Sequence, residues 1–105
     1  MILTTTESIE GKPVIEVLGL VMANSVRARH VGKDIIAALR NIVGGEVEEY
    51  TKLLAQSREL AVSRMAERAE DMGANAVVGT RFITAGITSG AAEILAYGTA
   101  VIIQE

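Results

Sequence analysis

The chain has 105 residues, 50% of them hydrophobic, with no cysteine, one histidine and a formal net charge of −3 at pH 7. This length suits a single domain over residues 1–105; the acidic balance disfavours a nucleic-acid partner, and the lack of cysteine excludes disulfides and thiolate metal sites. No basic-flanked apolar leader opens the sequence and no apolar run approaches membrane-spanning length, so the expectation is a cytoplasmic protein with no membrane partner.

Met1 to Thr6 reads as a short β-rich strand, and Glu7 to Pro13 as a polar turn that carries the only proline. Val14 to Ala23 reads as a second strand with apolar residues on both faces. Ile15, Val17, Gly19, Val21 and Ala23 alternate with Val14, Glu16, Leu18, Leu20 and Met22, and only Glu16 marks a face as wet. Asn24 to Gly32 is expected to be a basic connector. Asp34 then suits the N-terminus of a short helix, Ile35 to Ile42, which Gly44-Gly45 ends. From Glu46 to Met72, apolar or small residues recur by threes and fours, as in one long helix of about 40 Å that Gly73 stops.

The last third holds two strands, Ala76 to Thr84 and Ala91 to Ile103, joined by a loop over 85–90. Both are apolar on alternate faces, so the sheet needs cover twice, yet one long helix can cover it only once. A bare face of three strands measures about 380 Å² in projection, close to the largest apolar patch normal for a monomer. A homo-oligomer follows, with Val17, Val21 and Ala96 as interface candidates. The helix is expected to outreach the strands and to overhang onto a neighbouring subunit.

Chemistry-bearing residues are sparse. Arg27, Arg29, Lys33 and Arg40 place four positive charges in fourteen residues against the single acid Asp34. They suit either a small anionic ligand near a helix N-terminus or docking onto the long helix, whose span Glu46 to Asp71 carries seven acids against four bases. Gly44-Gly45 lacks the Lys-Ser/Thr of a phosphate loop and reads as a helix-to-helix corner. Arg81 and Glu93 interrupt apolar strands, and a hairpin centred near Ile87 would bring them together. A ligand cleft and a register-fixing ion pair are both open, the second being preferred. Tyr50 and Tyr97 read as core residues whose hydroxyls find partners. No Ser/His/acid set or paired-carboxylate set stands out, so an enzyme ranks last, and no cofactor is expected.

The runs GANAVVGTRF (73–82) and EILAYGTAVII (93–103), with GKDIIAALRNIVGGEVEEYTKLL (32–54) and the opening MILTTT, resemble the YbjQ-like family across essentially the whole chain. The resemblance implies an α+β fold. The expected subunit is a two-layer β-α-β-β unit with a mainly antiparallel sheet, one long helix, an extra N-terminal strand and a short helix. It also implies a ring-like homopentamer bridged by short extra strands, and a last strand seated between the other two long ones. It brings no established activity. The family carries a heavy-metal-binding label, which fits one histidine and no cysteine poorly. A metal ion would need His30 from several subunits, or Glu7 and Glu10 brought together in the turn. The function expected is a non-enzymatic homo-oligomeric module for a small ligand or ion, for which Arg27, Arg29, Lys33, Arg81 and Glu93 are ligand candidates. The alternative is a ring that binds a protein partner or is itself the function.

Overall fold

A computed structural model describes residues 1–27, 48–88 and 91–105. Strands β1 (Ile2–Leu3), β2 (Val14–Arg27), β3 (Ala76–Thr88) and β4 (Ala91–Ile103) form one mixed sheet in the order β1-β3-β4-β2. Helix α1 (Glu48–Asp71) packs on one face, mainly over β2 and β4. The expected helix Ile35 to Ile42 and the Gly44-Gly45 corner lie outside the described residues.

The least polar strand, β4, is paired antiparallel on both edges, with β3 on one side and β2 on the other, as the family resemblance implies. β1 joins β3 in parallel. Helix α1 ends where the sequence places its stop. Gly73 takes φ 93°, open to a residue without Cβ, and the Ala74 N–H returns to the Ala69 carbonyl at 3.0 Å. Asn75 then closes the sheet end with its side chain. Its Nδ2 donates to the Ile103 carbonyl at 3.0 Å, and its Oδ1 accepts from the Ile103 N–H at 2.7 Å.

The core between helix and sheet is built mostly from small side chains. Ala61, Met65 and Ala69 of α1 meet Val21, Ala23, Val77, Ile94, Ala96 and Ala100. Alanine on both layers lets the helix axis approach the sheet closely, so the backbone fills space that larger side chains fill elsewhere. A second, smaller cluster lies on the opposite face, where Ile9 of the turn covers Ala76, Val78, Val101 and Ile103.

Two features correct the sequence reading. β2 runs on to Arg27 instead of ending at Ala23, and β3 runs to Thr88, so the loop expected over 85–90 is largely strand. The strands, at 13 and 14 residues, span about 45 Å and exceed the 24-residue helix at about 36 Å. Among the described residues the sheet outreaches the helix, where the sequence leads one to expect the reverse. The Cα radius of gyration is 16.9 Å, against about 13 Å for a compact domain of this length.

Bulges shift the strand faces. The β2–β4 register slips between Val14 and Glu16 and between Val17 and Gly19, and the β3–β4 register slips between Val78 and Arg81. Gly19 at φ 129° and Gly79 at φ 63° supply backbone conformations that residues with a Cβ rarely adopt. Gly98 of β4 faces the β3 bulge. A Cβ there would stand 2.7 Å from Val77 Cγ1 and 3.0 Å from the Val78 carbonyl oxygen. Gly98→Ala is therefore expected to cost about 1–3 kcal/mol through overpacking, read as a lower urea midpoint; an unchanged midpoint would show that the bulge can yield.

Candidate functional site

Directly opposed residues in an antiparallel ladder share a face. Met22–Tyr97–Arg81, Asn24–Leu95–Ile83 and Val26–Glu93–Ala85 therefore form three rows on the side of the sheet away from α1. Leu20, opposite Thr99, and Val17, opposite Val101, extend this face along β2. Val17 is 65% exposed and Leu20 63%, and Met22, Val26 and Ile83 are exposed as well. The turn carrying Ile9 covers only the end near Ala76 and Ile103. Burying a Val, Leu, Ile or Met side chain is worth about 1.5–3 kcal/mol, so five such residues on one open face form the strongest unsatisfied demand among the described residues.

The polar groups on this face are tied to the protein itself. Arg81 Nη1 donates to the Thr5 carbonyl at 2.8 Å and to the Thr80 carbonyl at 2.9 Å, fastening the N-terminal segment onto β3. Asn24 Nδ2 donates to Glu93 Oε2 at 2.9 Å, linking β2 to β4. The expected Arg81–Glu93 pair is thus not formed. The strands continue to Thr88 and Ala91, which centres the hairpin two residues later than Ile87, so Arg81 faces Tyr97 and Glu93 faces Ala85. One charge serves the segment that follows β1 and the other serves β2. Tyr97 is only partly buried, in the open-face row, where a core position is expected from sequence.

Other candidates divide by face. Val17 lies on the open face. Val21, 3% exposed, and Ala96, 0%, lie beneath α1 in the core, which corrects their assignment to an interface. The bulge at Gly19 separates them, since it reverses the alternation between Val17 and Val21. Arg27 stands at the C-terminal end of β2, opposite Ala92. Arg29, His30, Lys33 and Arg40 lie outside the described residues.

Sequence reasoning missed three side chains that organise this region. Arg64 Nη1 donates to the Asn24 carbonyl at 2.9 Å and Arg68 Nη1 to the Met22 carbonyl at 2.7 Å, from helix to strand edge. Asn75 is the third. The four-residue spacing of the arginines is visible in the sequence, but nothing there tells a solvated charge from one that reaches a carbonyl. On the helix side, an open groove of about 480 Å³ runs between α1 and the β1–β3 edge, lined by Leu3, Ala55, Val62, Ala66 and Phe82 together with Arg58 and Glu59.

Residues 1–104 match the family model of YbjQ, described as "Putative heavy-metal-binding". The chain belongs to the YbjQ family. It is 52% identical over 104 residues to a UPF0145 protein of Dehalococcoides mccartyi, covering 99% of this chain and 100% of that one. It is 56% identical over 101 residues to a UPF0145 protein of Archaeoglobus fulgidus, covering 96% and 94% of the two chains. The crystal structure of a protein with unknown function of the DUF74 family from Pediococcus pentosaceus superposes with a TM-score of 0.68 at 16% identity, over 99% of this chain and 98% of that one, and shows the same fold.

The metal in the YbjQ description can be set against the donors present. Soft heavy metals prefer thiolates, and a zinc site needs three or four His, Cys or carboxylate groups held together. The chain has one histidine and no cysteine. Among the described residues, no group of three or more His, Cys, Asp or Glu could hold a metal ion. The donors of one subunit do not fit a soft metal.

Proposed function

We propose that the protein is a non-enzymatic homo-oligomeric binding module, a ring of the pentameric type implied by the family resemblance, which holds a small ligand or ion at a site made between subunits. The observation that carries this reading is the open face centred on Val17, Leu20, Met22, Val26 and Ile83, which a second copy would cover. The elongated subunit and the overhanging sheet support it, because they extend the apolar face beyond what α1 and the N-terminal turn reach. No described helix is long and apolar enough to cross a membrane, and the cytoplasm is the compartment proposed.

A second reading is favoured by the character of that face. Its exposed side chains are mainly hydrocarbon, and its Asn24, Arg81 and Glu93 are already engaged within the subunit. Such a face suits assembly better than ligand capture, and in this reading the ring itself, or a protein that it binds, is the function.

Light scattering of the purified full chain, followed by thermal shift across a metal and metabolite panel, tests both. A stable monomer would overturn the two readings together. A closed oligomer stabilised by one class of small molecule supports the module, since selective binding to the native state raises its stability. A closed oligomer that nothing in the panel stabilises favours the ring. For metals, titration calorimetry with zinc, copper and cadmium is expected to show weak binding at most. Submicromolar affinity that disappears in His30→Ala would reverse this and establish a histidine site shared between subunits.

A further inference from the structure

β2 is an edge strand. β4 bonds one side of it, and among the described residues its other side has no strand partner. A 14-residue edge beside exposed Leu20, Met22 and Val26 is a template on which a strand of another molecule can add. The fold meets this hazard with two side chains. The carbonyls of Met22 and Asn24, two residues apart, are separated by about 6.8 Å along the strand. Arg64 and Arg68, four residues apart on α1, are separated by about 6.0 Å along the helix axis. The two repeats match, and each guanidinium donates to one carbonyl, at 2.9 Å and 2.7 Å. One helical turn away on either side, the same column holds Leu60 and Met72, which carry no such donor, so the basic column spans two carbonyls only.

We infer that Arg64 and Arg68 guard this stretch of the β2 edge, denying the Met22 and Asn24 carbonyls to a strand of a second copy of this chain, so that any strand bridging two subunits adds elsewhere. An incoming strand would have to bring backbone N–H groups to these carbonyls. Both already accept charge-assisted bonds, which are roughly twice as strong as neutral ones, and the guanidinium groups occupy the positions the incoming amides need. The guard goes beyond the proposed function. That reading concerns which face of the sheet is covered, whereas the guard concerns which edge is closed.

The test uses the full chain carrying Arg64→Met and Arg68→Met together, which keeps the aliphatic stems against the sheet and removes the donors. Size is followed by light scattering and cross-β pairing by thioflavin T, with far-UV circular dichroism as the check on fold. The expected result is a native spectrum and the wild-type size at time zero, then continuous growth with rising thioflavin fluorescence. Adding Met22→Pro should halt the growth. Proline removes the N–H that leaves the same edge as the Met22 carbonyl and touches no bond to β4. A double variant that holds the wild-type size throughout overturns the guard, and so does growth that Met22→Pro leaves unchanged. If the double variant fails to fold, Arg68→Met alone is read by the same two criteria. The mass of the wild type at time zero reports on the oligomer separately, so failure of one idea is not mistaken for failure of the other.

Discussion

Val17→Asp is expected to dissociate the assembly while leaving the subunit folded. Val17 projects from the open face with 65% of its surface exposed, so within an isolated subunit the aspartate would sit in water at little cost. Once a second copy covers that face, the same carboxylate must be buried without a partner, which costs several kcal/mol. Even about 3 kcal/mol per interface weakens association by roughly a hundredfold. Light scattering should report loss of the wild-type mass with an unchanged far-UV spectrum, and Leu20→Asp should behave alike. Ala96→Asp is the contrasting variant. Ala96 is fully buried against α1, so its aspartate should unfold the subunit instead of separating folded subunits. A Val17→Asp protein that keeps the wild-type mass would show that this face is not where copies meet.

Met65→Ala is expected to be the most destabilising truncation in the core, by about 3–5 kcal/mol, in the upper part of the range for such changes. Among the described residues Met65 is the largest fully buried side chain, and several of its cluster neighbours are alanines: Ala61, Ala69, Ala96 and Ala100. Alanine has no rotamer with which to refill the space, so the cavity should persist. Urea unfolding monitored by circular dichroism measures the loss. Val62→Ala, at a half-buried position beside the same cluster, should lose clearly less. A loss below about 1 kcal/mol for Met65→Ala would mean that helix and sheet close onto the gap, and that the alanine-rich seam is more compliant than its packing implies.

Several elements were legible before the structure because their signals are local. The long helix stands where the three-and-four spacing puts it, and Gly73 stops it because a left-handed residue is needed at that point. β4 has the bounds expected for it, and its low polarity agrees with a strand paired on both edges. The demand for cover on two sides was also legible, since apolar residues on alternating positions must face something on each side of a sheet.

Which residues meet that demand was not legible. Alternation assigns faces only while the register is continuous, and a bulge of one residue reverses every side chain beyond it. The bulge at Gly19 put Val17 and Val21 on opposite faces, and the late centre of the β3–β4 hairpin sent Arg81 and Glu93 to different partners. The sequence by itself determined the α+β class, the helix with its stop and the apolar character of both sheet faces, because composition and spacing act over a few residues. Only the tertiary structure decided the register, the side of the sheet that stays open and the carbonyls that Arg64 and Arg68 reach. The β2–β4 register and the arginine bonds join residues about 40 or more positions apart, and the β3–β4 register turns on where the hairpin reverses, which apolar alternation alone does not mark.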